Sequence, residues 1–187
     1  MVNRLPLVAG TAGVAAVLIA LATVLLNGAD EPGHVPDTHT PGVAHVEGPN
    51  PEGANALTVT QMGLAAMFCW QPRVDPGPGA GLVRAAPWLT GELAASASSG
   101  PAIGLVQLPE WAGWRDSNDI VTALVDAEQA KPDGSGTTVA ATVTQQVLHH
   151  DGFTTIYRRM QVTVTVTSTP QGWRMSSYRI TSVTDHG

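Results

Sequence analysis

Hydropathy divides the chain into three regimes. Residues 5–26 (LPLVAGTAGVAAVLIALATVLL) are apolar and carry no charge. As a helix they would reach about 30 Å, the hydrocarbon thickness of a bilayer. Residues 27–53 follow neither a period of 2 nor one of 3.6. With five prolines, five acids and no Lys or Arg, they read as an extended, Pro-stiffened spacer. From residue 54 periodic patterns return and predict a folded domain over 54–187.

That domain is expected to begin with a helix. Within residues 54–70 (ANALTVTQMGLAAMFCW), Leu57, Gln61, Leu64 and Phe68 recur at helical spacing. Met62, Ala65, Ala66 and Cys69 add a second apolar stripe. Between Met62 and Trp70 the segment is apolar nearly all round, which predicts burial of most of its circumference, and Pro72 ends it. After the turn-rich QPRVDPGPGAG, the run LVRAAPWLTGELAASA predicts one or two short helices, broken at Pro87, with Thr90 as cap of the second. PEWAGWR predicts a further helical turn with Trp111 and Trp114 on one side.

Period-2 alternation then takes over. DIVTALVDAEQA predicts a first strand that ends at the turn KPDGSG. TTVAATVTQQVLHH predicts a second, with Val139, Ala141, Val143, Gln145 and Val147 on one face. HDG makes a tight hairpin, since Asp-Gly tolerates positive φ. The third strand runs from Phe153 to Thr169. Ile156, Met160, Val162, Val164 and Val166 face one way, and Tyr157, Gln161, Thr163, Thr165 and Thr167 the other. PQG turns into the fourth, where Trp173 and Met175 share a face opposite to Tyr178 and Ile180, a phase change that predicts a bulge near Ser176 or Ser177. Helices followed by consecutive hairpins give an α+β fold, with helices packed on one face of a curved four-stranded antiparallel sheet.

Composition narrows the function classes. A net charge of −6 and a pI near 5.3 argue against a nucleic-acid partner, which would need clustered Lys and Arg. Cys69 is the single cysteine, so no intramolecular disulfide forms and the fold is held by core burial; among apolar neighbours the thiol reads as a core residue. Arg4 precedes the 5–26 segment, and Asp30 and Glu31 follow it. The positive-inside rule then places residues 1–4 in the cytoplasm and everything after the span outside a cell membrane that the chain crosses once. A cleaved signal peptide is the rival reading; it would have an overlong apolar core, and NGADEP is a poor cleavage site.

Reaction motifs are absent. There is no G-x-S-x-G, no Walker loop, no H-E-x-x-H and no G-x-G-x-x-G, so no cofactor, metal or catalytic residue is expected. His34, His39 and His45, with Asp37 and Glu47, are spaced too irregularly for an ordered metal site. His149 and His150 are adjacent, point to opposite faces and read as hairpin residues; Asp116 and Asp119 read as turn or capping residues. Trp70, Trp88, Trp111, Trp114 and Trp173 fit either the lining of a pocket or the large pieces of a core. Thr163, Thr165 and Thr167, with Arg159 among them, form a polar ladder that is either a wet sheet face or a surface that docks a partner.

Three stretches carry a resemblance: FCWQP at the end of the first helix, LVRAAPWLTGELAAS followed by WAGWR, and the hairpin YRRMQVTVTVTSTPQGWRMSSYRI. Behind a single N-terminal anchor, this pattern resembles actinobacterial membrane proteins with a nuclear-transport-factor-two-like domain outside the membrane. Two groups share that plan: scaffold subunits of type IV secretion and conjugation systems, and Mce-associated membrane proteins. The resemblance spans residues 55–185 in order of elements. It implies a cone of helices packed into a strongly bent four-stranded sheet. It also implies work by protein–protein contact, as a non-enzymatic scaffold or accessory subunit of an envelope transport or secretion assembly. Partners would be envelope or secretion-system proteins, further copies of the chain, and the bilayer through residues 5–26. Enzymes of that superfamily place Asp, His or Tyr inside the cone; no inward strand position here offers such an acid–base pair. A small-molecule-binding or enzymatic cone with a buried pocket is the alternative.

Overall fold

A computed structural model of the chain describes residues 50–100, 108–128, 130–133 and 136–186. The expected span over 5–26 and nearly all of the 27–53 spacer, with His34, His39 and His45, lie outside the described residues. Among the described residues no helix is long and apolar enough to cross a membrane. The fold takes in the end of the spacer: Arg174 Nη1 donates to Pro51 O at 3.2 Å.

Helix α1 (Ala56–Phe68) begins where Asn55, in extended backbone, accepts a hydrogen bond from the Thr58 N–H at 2.9 Å. Its buried positions are Ala56, Val59, Thr60, Gly63, Leu64 and Met67, one face of a 3.6-residue period. This stripe is rotated from the expected one, because Leu57 and Phe68 lie half-buried at its flanks with Met62, Ala66 and Cys69. The small residue Gly63 sets the rotation: a Cβ there would run into Met175 Sδ, so the backbone itself approaches the sheet.

The end of α1 is fastened by side chains. The last carbonyls of a helix have no partner within it. Trp70 Nε1 donates to Met67 O at 3.2 Å, Gln145 Nε2 to Phe68 O at 2.7 Å, and Arg84 Nη2 to Cys69 O at 2.6 Å. Arg84 also pairs with the buried Asp75 carboxylate at 2.7 Å. Trp70 then joins the sheet edge, exchanging backbone hydrogen bonds with Val121 at 2.8 and 2.9 Å. Helix α2 (Ala80–Arg84), a 3-10 turn at Ala86–Trp88 and helix α3 (Gly91–Ser98) follow, with the expected break at Pro87. Thr90 holds the cap position of α3 in extended backbone, but its side chain makes no capping bond. Helix α4 (Trp111–Asp116) places Trp111 and Trp114 together in the core.

The sheet has five strands rather than four: β1 (Ile120–Ala127), β2 (Lys131–Asp133), β3 (Gly136–Leu148), β4 (Thr154–Thr169) and β5 (Gly172–Asp185). Their order is β1-β3-β4-β5, antiparallel throughout, with β2 paired to the start of β3. The extra strand falls in KPDGSG, where Lys131 pairs with Thr138 and Pro132 with Thr137. A proline fits there because β2 has only one strand neighbour.

Bulges set which residues face inward. On β5, Val166 lies opposite Met175 and Thr165 opposite Ser177, so Ser176 is the expected bulge; a second skips Thr181. On β4, Gln145 pairs with Arg158 and Gln146 with Ile156. Tyr157 is the extra residue, and it turns into the buried side. Ile156, expected in the core, is exposed. The result is an α+β domain with two apolar clusters. The larger joins α1 and α3 to Val139, Val143, Met160, Val162, Val164, Val166 and Met175; the smaller holds Trp70, Trp111, Trp114, Val121, Val147 and Tyr157.

Candidate functional site

Strand register assembles the polar face row by row. Thr138, Thr165 and Ser177 are neighbours across β3, β4 and β5; so are Ala140, Thr163 and Arg179. Further along come Asp126, Thr142, Gln161 and Ser182, then Leu124, Thr144, Arg159 and Thr184. Two grooves open on this face. One of about 430 Å³ is lined by Thr138, Thr163, Thr165, Ser177, Tyr178, Arg179 and Thr181. The other, about 510 Å³, is lined by Leu124, Val125, Asp126, Thr142, Thr144, Arg159 and Gln161. Thr163 and Thr165 therefore share one groove, and Arg159 belongs to the second. Thr167 lines neither; its hydroxyl donates to Ser176 Oγ at 3.1 Å and braces the bulge.

The five tryptophans do not converge. Trp70 stacks obliquely on Trp111 (5.8 Å between centroids), Trp111 meets Trp114 at 6.5 Å, and Trp114 meets Tyr157 edge-on at 4.8 Å. Trp88 is buried in the larger cluster and Trp173 is half-buried against it. Neither groove contains a tryptophan. Beside the smaller cluster, the Arg158 guanidinium lies 4.1 Å from the Tyr157 ring centroid and donates to its hydroxyl. Burial pushes the Tyr157 phenol up, and the Arg158 charge works against that; burial alone pushes Tyr178 up.

These are the chain's two tyrosines. Their folded pKa values lie above the unfolded value of about 10, so the stability they contribute is complete below pH 10 and is lost as pH rises through the folded values. Phenolate absorbance of the folded protein should lag that of the urea-unfolded chain on alkaline titration. Coincident curves would contradict the burial.

A hydrogen-bonded chain lies at the far end of the sheet. Asp119 Oδ2 is 3.0 Å from His149 Nδ1, and His149 Nε2 is 2.9 Å from Thr155 Oγ1. The Asp119 side chain is 6% exposed and His149 30%. Asp119, expected as a turn or capping residue, thus meets a histidine through strand pairing: Ile120 lies opposite Leu148, which brings residue 119 beside residue 149. The signal in the sequence was the β1–β3 register, invisible to motif spacing. His150 and Asp116 stay exposed, as hairpin and helix-end residues. Among the described residues no group of three or more His, Cys, Asp or Glu could hold a metal ion. The Cys69 thiol is pushed up by burial and accepts the Ala123 N–H at 3.2 Å, in keeping with a core thiol.

The chain matches no protein-family profile and no curated protein. Among solved structures it is similar to the intermembrane space region of the chloroplast protein ARC6, at 14% identity and a TM-score of 0.37, over 68% of this chain and 97% of that one.

Proposed function

We propose that the chain is a membrane-anchored docking subunit of an envelope transport or secretion assembly, and that its extracytoplasmic α+β domain is a cone of the nuclear-transport-factor-two-like type. The observation that supports this best is the pair of grooves along the threonine ladder, edged by Thr163 and Thr165 in one and Arg159 in the other. Hydroxyls, one amide and opposite charges on Asp126 and Arg159 suit a partner that presents backbone and polar side chains. Residues 5–26 hold the domain to the bilayer, and the Pro-rich stretch after them sets its distance.

Full-length protein in detergent should self-associate or co-purify with other envelope proteins after cross-linking. A Thr163→Glu/Thr165→Glu variant should bind about tenfold more weakly, the loss of about 1.4 kcal/mol, with an unchanged melting point. A strictly monomeric, partnerless protein would sink the docking role. A mature protein starting near Asp30 would overturn the anchor.

A further inference from the structure

At the start of β4, among residues that line neither groove, a buried carboxylate is linked through an imidazole to an exposed hydroxyl. The geometry points to Thr155 as a nucleophile activated by His149 and positioned through Asp119, able to take the acyl group of an activated ester. This goes beyond the docking role and stands whether or not that role holds.

The protons can be assigned. A carboxylate only accepts, so His149 Nδ1 carries the hydrogen and donates it to Asp119 Oδ2. In the neutral imidazole Nε2 is then the lone-pair nitrogen, and the Thr155 hydroxyl donates to it. That is the orientation in which a hydroxyl is prepared to lose its proton. Asp119 Oδ1 is buried without a partner, so His149 is the one described group that satisfies this carboxylate. The imidazole is held at the hairpin by two backbone bonds, His149 N–H to Phe153 O and Gly152 N–H to His149 O, each 2.9 Å. Thr155 is set by its pairing with Val147. Access is open: Thr155 is exposed, and β5 pairs β4 only as far as Arg158, so no described strand covers the edge at Thr154–Ile156.

The step balances without a co-reactant beyond ester and water. Thr155 Oγ1 bonds to the acyl carbon while its proton passes to His149 Nε2. Asp119 offsets the imidazolium charge. The bond from the acyl carbon to the leaving oxygen breaks, and that oxygen takes the proton from Nε2. Water then releases the acyl group by the same proton route in reverse.

The test uses the full chain with para-nitrophenyl acetate, following nitrophenolate release and mapping the acetyl group by mass spectrometry. The expected adduct is on Thr155. His149→Ala should slow its formation roughly 100-fold, and imidazole added to the buffer should restore part of the rate. Thr155→Val should abolish the adduct and Thr155→Ser should keep it. Asp119→Asn should slow it by at least about tenfold. A residue that merely pins the hairpin would change the melting point and leave these rates alone. Equal labelling of wild type and His149→Ala, or acetylation confined to Lys131 and the amino terminus, would overturn the inference. Should the Asp119 variant fail to fold, His149→Ala and Thr155→Val still decide it.

Discussion

Gly81→Ala is expected to be the most destabilising of the single substitutions considered for this domain. Helix α2 lies with its first turn on the end of α1, and Gly81 is the point of closest approach. A Cβ there would overlap Met67 O, sit 2.8 Å from Met67 C and 3.2 Å from Ala66 O. These are backbone atoms, and they cannot yield locally. Met67 O is held by the Trp70 indole, the next two carbonyls by Gln145 and Arg84, and Trp70 itself by Val121. The two helices must therefore separate, which strips Arg84 from Cys69 O and leaves the buried Asp75 without its cation. A cost above about 4 kcal/mol follows, against a total of roughly 5–15 kcal/mol for a domain of this size. Gly63→Ala is the control. Its Cβ meets the flexible thioether of Met175, so about 1–2 kcal/mol is expected. Urea unfolding of both variants checks the contrast; equal midpoints would mean that α1 and α2 do not touch at Gly81.

What could be read from the sequence follows from how local each signal is. The inward Val139–Val147 row rests on period-2 alternation alone, and it holds. The Ser176 bulge was legible because Trp173 and Met175 fall out of phase with Tyr178 and Ile180 within one strand. The Tyr157 bulge was not. Ile156 and Tyr157 are both apolar, and the choice between them is made by Trp114, which comes from a helix more than 40 residues earlier in the chain. The α1 face was ambiguous for a similar reason: an almost uniformly apolar helix gives two equivalent stripes, and the close approach at Gly63 selects one. The threonine ladder could be read residue by residue. Its division into two grooves depends on which residues of neighbouring strands meet, and alternation alone puts Thr167 with Thr163 and Thr165 although it braces a bulge. The pairing of Asp119 with His149 needed a strand register that joins residues 30 apart in sequence, which no spacing rule supplies.

Trp111→Ala should carry the second-largest cost, about 3–5 kcal/mol. Helix α4 has six residues, too few to be stable alone, and no side chain caps its first turn. Packing must hold it, and Trp111 at 1% exposure is the most deeply buried of its two anchors. The indole lies between Trp70 and Trp114, so truncation opens a cavity bounded by rings that are themselves fixed: Trp70 by the bridge to Val121, Trp114 by its edge-on contact with Tyr157. Such a site cannot collapse, which places the loss at the high end of the range. Trp111→Phe keeps most of the ring and should cost less than half as much. Because the Asp119 N–H donates to Trp114 O at 2.8 Å, the alanine variant should also raise amide exchange at Asp119 and at the start of β1. A small loss, within about 1 kcal/mol, would mean that α4 is held by its neighbours in the chain rather than by the aromatic cluster.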